Sequence, residues 1–385
     1  MDYEKSHPWL KFEADFRKAD ISLWIKIGEI QAKCDRIANT PLMPEYAEKL
    51  HLIFIARGAL ATTAIEGNTL SEKEALDILK GESKLPEVKR SLEQEVKNII
   101  DACQLIFDGL MSGGDKGINI KEVFHYNSLV LKGLPLEAGV VPGTIRTHAY
   151  GVPGYRGAPA NECQYLLEKM CDWLNSDFEV KAKDLKFAVF LVKAILSHLY
   201  LVLIHPFADG NGRTARLIEF KFLLSSGVPT ATAHLLSNYY NETRDEYYRQ
   251  LRRVSASGGD IWPFVGYAID GLLLELRGHL DLITEQQIKV HWTNYIHEHF
   301  REKTKKVDGR RKHVALELGK IKGAVSITKI RDLSPEVARR YGKVSIRSVQ
   351  ADIRVLQEMG LVIVSEDKVE ANKYTVLEQL SEIVL

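Results

Sequence analysis

Cysteine is scarce in this chain. There are four in 385 residues, at positions 34, 103, 163 and 171, and none forms a CxxC pair. That spacing excludes the disulfide frame of a small secreted domain and a cysteine-based zinc site, and reads as reduced thiols. An excess of one charge is also missing. The formal net charge is +1, which excludes a globally basic nucleic-acid binder but not a local basic patch. The longest apolar runs are interrupted by Lys, Asp or His, so no membrane span is expected. Met1-Asp2-Tyr3-Glu4 has no basic segment leading into an apolar one, so no signal peptide is expected and a cytoplasmic location is. What remains is an ordinary globular composition, 45% hydrophobic and 27% charged, at a length that suggests two or three domains.

The periodicity predicts a mainly α protein. Apolar spacing of three and four runs through Ile21–Ile37, Tyr46–Ile65, Ser91–Leu110, Ile120–Lys132, Leu166–Asn175 and Leu185–Ile204. Pro41 and Pro44 break the first pair of helices, and Ser71 with Glu74 reads as a capping box. Met111 to Gly117 is a Gly- and polar-rich loop. The expected division is 1–110 as an N-terminal helical region, 111–290 as a core, and 291–385 as a further domain.

The stretch with most chemistry is His205-Pro206-Phe207-Ala208-Asp209-Gly210-Asn211-Gly212-Arg213-Thr214-Ala215-Arg216. It lies between the buried-type helix 185–204 and a second apolar helix, Leu217 to Leu224. Glycines at 210 and 212 break regular structure, so bare amides meet a helix N-terminus, which favours an anion. Arg213 and Arg216 lie three apart on the first helical turn, where basic residues oppose the dipole. A resident polyanion would account for them. His205 is a candidate general base and Asp209 a candidate Mg²⁺ ligand. His198 reads as a core or supporting histidine.

These residues resemble the signature of the Fic family, HPFx[DE]GNGRxxR, at every fixed position. The resemblance implies transfer of AMP from ATP to a Ser, Thr or Tyr hydroxyl of a target protein, and to the chain itself. His205 would deprotonate the hydroxyl, and Asp209 would hold Mg²⁺ between the α- and β-phosphates. Gly210, Asn211 and Gly212 would form an anion hole. Arg213 and Arg216 would bind the outer phosphates, with Thr214 and Ala215 in the same nucleotide-binding turn. Gly212 stands where related Doc-type kinases carry Lys, which favours nucleotidyl over phosphoryl transfer. Thr62-Thr63-Ala64-Ile65-Glu66-Gly67 fits the family's inhibitory pattern [ST]xxxE[GN]. It implies that Glu66 pairs with Arg216 and blocks the γ-phosphate. From position alone, a solvated helix-end carboxylate is the favoured reading of Glu66, and only the resemblance turns it toward Arg216.

Two further segments bear on the site. Residues 142–155, rich in β-branched residues between Gly and Pro, suggest a hairpin on which an extended target could dock. The Pro142-Gly143-Thr144-Ile145-Arg146 start resembles the family's flap, and a packed surface loop is the other reading. Of the Tyr247-Tyr248 pair, the resemblance places Tyr247 in the nucleotide pocket.

Past residue 290, the segment His299–His313 carries seven Lys or Arg against Glu302 and Asp308, an exposed basic connector. Helices at 327–333, 335–341 and 345–359 precede strands expected at 361–364 and 373–376. The order resembles a winged helix-turn-helix. Arg347, Gln350 and Arg354 could face a groove, while Asp352, Glu358, Glu366 and Asp367 oppose phosphate. Protein docking or a homodimer contact is therefore expected ahead of DNA binding. Rival readings are a different nucleotide donor, removal of AMP, or a DNA-binding regulator that senses nucleotide.

Overall fold

The computed structural model describes residues 3–40, 44–148, 151–152, 155–180, 182–374 and 376. The chain forms two compact units, 1–278 and 279–385.

The first unit is helical. It runs from α1 (Tyr3–Ser6) through α2 (Ile21–Asn39), α3 (Pro44–Ala64), α4 (Glu72–Leu79), α5 (Arg90–Met111) and α6 (Ile120–Val130). A short antiparallel hairpin follows, β1 (Gly151–Val152) with β2 (Tyr155–Arg156). Then come α7 (Cys163–Ser176), α8 (Lys186–Ile204), α9 (Asn211–Ser226), α10 (Leu235–Glu242), α11 (Arg244–Ala256) and the start of α12 (Trp262–His299). α8 is apolar all round and sixteen of its nineteen residues are buried, so it is the central rod of the unit. Its length and composition would let it cross a membrane, yet 94% of that window is covered by the protein itself.

One hydrophobic core runs from Tyr3 and Leu23 through Ile99 and Val123 to Leu276. The boundary expected at 110 therefore does not divide this core: α2–α5 bury their apolar faces in the same cluster as α6–α11. The capping box is formed, with Ser71 N donating to Glu74 Oε2 at 2.7 Å and Glu74 N to Ser71 Oγ at 3.3 Å. All four cysteines are buried free thiols, and burial pushes Cys34 and Cys171 up to about 12, so they are unreactive.

The second unit has its own core, with Trp292, Phe300, Leu318, Tyr341, Ile353 and Leu356 at its centre. It comprises the end of α12, then α13 (Lys306–Lys320), β3 (Val325–Ser326), α14 (Pro335–Tyr341), α15 (Ile346–Glu358), β4 (Val362–Ser365) and β5 (Lys368–Ala371). The sheet is antiparallel in the order β3-β5-β4. Ser345 caps α15, accepting from Ser348 N at 3.2 Å.

Three expectations are corrected here. The second strand of the C-terminal hairpin lies at 368–371, not 373–376, because Glu366 at φ 55° turns the chain at once. The basic segment before 313 is not an exposed connector throughout, since α13 begins at Lys306 and Arg310 and Arg311 are only partly exposed. They bond Asp352 at 2.6 and 2.7 Å, and Tyr341 Oη adds a third bond at 3.0 Å. Asp352 is therefore a buried, neutralised carboxylate rather than an acid on the outer face of α15. In the first unit the paired strands among the described residues are 151–152 and 155–156. Residues 140–146 form a turn whose Ile145 makes a single bridge to Phe207, and residues 149, 150, 153 and 154 of the expected flap lie outside the described residues.

Candidate active site

The signature loop joins α8 to α9. At its start His205 is left-handed, with φ 52° and ψ 59°. For a residue with a Cβ this costs roughly 1–2 kcal/mol, so neighbours must hold it. Ala158 N donates to Ile204 O at 3.0 Å, Arg146 N to Pro206 O at 3.0 Å, and Arg146 Nε to His205 O at 2.7 Å. Phe207 is buried and packs edge-on to Phe124. Asn211 closes the loop on itself, accepting from Phe207 N at 2.9 Å and donating to Phe207 O at 2.8 Å. Gly210, at φ 79°, is the last residue before α9, and a Cβ there would meet Asn127 Nδ2 at 2.9 Å. Asn127 lies beneath the turn. It donates to Asp209 O at 3.0 Å and Thr214 Oγ1 at 3.3 Å, and accepts from Gly143 N at 2.9 Å.

The result is a helix N-terminus with no side-chain cap, so its first amides are open to an anion. Two guanidiniums lie against it. Arg213 Nη2 bonds Asp209 Oδ1 at 3.0 Å, and its Nη1 reaches Glu95 Oε1 at 3.5 Å. Arg216 Nη2 bonds Glu66 Oε1 at 2.6 Å and the Thr62 carbonyl at 2.9 Å. Both arginines are buried, and Arg213 Nε, Arg216 Nε and Arg216 Nη1 have no hydrogen-bond partner among the described residues. Glu66 follows the end of α3, where Gly67 at φ 109° turns the chain. Its carboxylate fills the space over Gly212, where any added Cβ would collide with Glu66 Oε1. Burial acts to raise the Glu66 carboxyl, but the charge and hydrogen bond of Arg216 outweigh it and hold it below the ordinary value. The contact is a single hydrogen bond rather than a two-pronged one.

His205 is pushed down to about 4, by burial first and by the Arg146 charge second, while the Val202 carbonyl, Glu66 and Asp209 pull the other way. At neutral pH its imidazole is therefore uncharged and able to accept a proton. Asp209 is half-exposed, with one oxygen held by Gly210 N and Arg213. Among the described residues no three His, Cys, Asp or Glu gather as a metal cage. A single open carboxylate beside a phosphate cradle nevertheless suits Mg²⁺, which takes one or two carboxylates and completes its shell with phosphates and water.

The remaining sequence candidates fall behind this surface. Thr214 is fully buried, its hydroxyl donating to Gly210 O at 2.8 Å and its amide to the same carbonyl at 2.9 Å. Ala215 faces the core. Tyr247 is 2% exposed, its hydroxyl 2.9 Å from His198 Nε2. His198 Nδ1 lies 3.3 Å from Glu219, which accepts from Tyr240 Oη at 2.9 Å. These four form a buried polar network that links α8, α9, α10 and α11, and His198 is a core residue as expected. Glu95 and Asn127 were not foreseen. Each is one of several polar residues on an amphipathic helix, with no motif to single it out, and only the fold brings it to the loop. Glu95 also accepts from Asn68 at 3.0 Å, tying Arg213 to the turn that carries Glu66.

Residues 117–223 match the profile of the Fic/DOC family. Over 207 residues the chain is 33% identical to protein adenylyltransferase fic-1 of Caenorhabditis briggsae and to that of Caenorhabditis elegans, covering 54% of this chain and 37% of either relative. The chain thus spans little more than a third of the length of these curated relatives. Among solved structures, a Fic family protein from Desulfovibrio desulfuricans G20 superimposes with a TM-score of 0.56 at 21% identity, over 91% of this chain and 95% of that one. Fic-1 of C. elegans (residues 134–508) gives 0.54 at 25% identity, over 68% of this chain and 73% of that one. The helical frame, the turn before α9 and the intact His-Pro-Phe-x-Asp-Gly-Asn-Gly-Arg-x-x-Arg run agree with one another: residues 117–223 are a Fic/DOC family domain.

Proposed function

We propose that this protein transfers AMP from ATP to a side-chain hydroxyl of a protein, the chain itself included, and that Glu66 restrains it. The observation that carries this reading is the pair of buried arginines at an uncapped helix start, with three guanidinium nitrogens that have no partner among the described residues. Buried donors left unsatisfied cost about 1–3 kcal/mol each, and a polyphosphate would satisfy them. The relatives' printed name, protein adenylyltransferase, supports the choice of AMP.

In the proposed reaction the hydroxyl oxygen forms a bond to the α-phosphorus as the bond from that phosphorus to the pyrophosphate oxygen breaks. The hydroxyl proton passes to the imidazole of His205, and pyrophosphate leaves with the bonding pair. The amides of Gly210–Gly212 and the two guanidiniums stabilise charge that grows on the phosphates. Asp209 would hold Mg²⁺, which neutralises phosphate charge. The target segment would lie along 142–155, adding as a strand to the hairpin edge. Glu66, over Gly212 and bonded to Arg216, competes for the room and the guanidinium that the γ-phosphate needs.

The test uses α- and γ-labelled ATP with Mg²⁺ on the parent, Glu66→Gly and His205→Ala. Label from the α-position should stay on protein, more in Glu66→Gly and none in His205→Ala. Retention of γ-label instead would replace the reading with phosphoryl transfer.

A second reading attaches to residues 279–385. With Asp352 buried, the exposed face of α15 carries Arg347, Gln350 and Arg354, and the unit's helices and β4–β5 support a winged-helix assignment. We propose duplex DNA as a ligand of that face, against docking to protein. A band shift that weakens steeply between low and moderate salt would support it, and no shift at low salt would remove it.

A further inference from the structure

Arg146 is an unusual buried cation. It is 5% exposed, yet every hydrogen-bond partner it has among the described residues is neutral. Its Nε donates to the His205 carbonyl at 2.7 Å, its Nη1 to the His148 carbonyl at 2.6 Å, and its Nη2 to the Ala158 carbonyl, with Cys163 Sγ at 3.7 Å. A packing role alone would be met by an apolar side chain without burying a charge. What the guanidinium offers is a rigid fork that reaches acceptors on different segments at once. Here those segments are the two roots of the hairpin, at 148 and 158, and the catalytic loop.

The backbone repeats the same connection. Arg146 N bonds Pro206 O at 3.0 Å, Ala158 N bonds Ile204 O at 3.0 Å, and Ile145 bridges Phe207. The residues on either side of His205 are thus each tied to a different root of the hairpin, and His205 itself is tied by the Arg146 side chain. Gly157 presses on the same point: a Cβ there would come 3.1 Å from His205 Cβ and 3.2 Å from Arg146 Nη2. At the outer side, His7 Nε2 lies 3.0 Å from Gly157 O, so the second root is braced from the N-terminal segment as well.

We propose that Arg146 is a positioning residue, setting the place of the His205 imidazole relative to the hairpin so that a target seated there meets the base in register. This rests on His205 being the base of the transfer. In this role Arg146 acts through the His205 backbone, to which its Nε donates. Its charge also disfavours the imidazolium, alongside burial, while Glu66, Asp209 and the Val202 carbonyl favour it.

The experiment introduces Arg146→Lys and Arg146→Met into the full chain carrying Glu66→Gly. Single-turnover incorporation of AMP into the chain is followed against ATP concentration. The His205 imidazole resonance is followed by NMR against pH, and is assigned by its loss in His205→Ala. Lysine keeps the charge but cannot span three carbonyls. Arg146→Lys should lower the maximal rate at least about tenfold, leave the half-saturating ATP within about twofold, and displace the His205 resonance. Arg146→Met should do the same and also raise the pH at which His205 titrates. A maximal rate within about threefold of the Glu66→Gly parent, with the resonance unmoved, overturns the proposal, as does a loss confined to ATP affinity. If the Glu66→Gly parent moves no AMP, the reading of the reaction has failed, and the resonance alone decides Arg146: displaced sustains its role and unmoved ends it. Should neither variant fold, Gly157→Ala crowds His205 and Arg146 without removing a bond. A rate and a resonance unchanged by it would also overturn the proposal.

Discussion

Glu66 and His205 each bear on the other's charge: the Glu66 carboxylate favours the imidazolium, and His205 favours the carboxylate. Glu66 is 33% exposed while its partner Arg216 is 1% exposed, so loss of the pair falls mainly on the arginine. Glu66→Gly leaves a buried cation free for phosphate. AMP incorporation should rise at least about tenfold, for roughly 1.4 kcal/mol of released restraint, and quantified label on the chain checks it. Gly212→Ala tests the same space from the other side. Its methyl would collide with Glu66 Oε1, and it also lies 3.1 Å from Arg216 Nη1. It should therefore displace Glu66 without raising the rate, because the cradle itself is filled. The protonation of His205 has a sign that can be worked out. Its folded value, about 4, is below the ordinary 6.5, so the unfolded chain binds more protons between those limits and this residue's contribution to stability falls as pH drops through that window. The base itself stays unprotonated down to about pH 4. The acid limb of kcat/KM, which reports free enzyme, should lie well below 6.5, and a limb near 6.5 would show His205 in a more watered place.

The α8–α9 turn is held by side chains that bond backbone rather than by its own sequence alone. Asn211 spends both ends of its amide on Phe207, and Asn127 bridges Asp209, Thr214 and Gly143. Asn211→Ala removes two buried hydrogen bonds and leaves their partners unsatisfied, which should cost about 2–4 kcal/mol and abolish detectable AMP transfer; melting curves and labelled ATP check both. Elements of this kind were unevenly legible. Helices α2, α3, α5 and α8 could be read to within a few residues, because one apolar stripe repeats over many turns. The Ser71–Glu74 box and the break at Gly210 could be read because their geometry is local. Short strands were harder. β5 was misplaced because Lys373–Val376 has better strand residues than Lys368–Ala371, whereas a left-handed Glu366 made an immediate return available. Contacts between distant parts of the chain were not legible at all. Glu95 meets Arg213 across 118 positions, and Asp352 meets Arg310 across 42, with nothing local to mark either. The Glu66–Arg216 pair, 150 positions apart, was reached only through resemblance.

At the scale of the whole molecule, two separate hydrophobic clusters, one in 1–278 and one in 279–385, each close around their own aromatic residues. If each core is self-sufficient, damage to one should not reach the chemistry of the other. Asp352 is the place to test this, because it concentrates the polar energy of the second unit in one side chain. It is 1% exposed and receives bonds from Arg310, Arg311 and Tyr341. Removing a fully buried partner costs about 3–5 kcal/mol, but these arginines keep 24% and 19% of their side-chain exposure and recover some hydration. A loss of about 2–3 kcal/mol is therefore expected for Asp352→Ala. For a unit near one hundred residues that is a fall of roughly 10–20 °C in melting temperature. Calorimetry of the full chain should show one transition lowered by that amount and the other unmoved. ATP binding and AMP incorporation, measured below the lowered transition, should stay within about twofold of the parent. A single transition that shifts as a whole, or transfer that falls with it, would mean that the two cores are energetically one and that the C-terminal unit takes part in holding the active site.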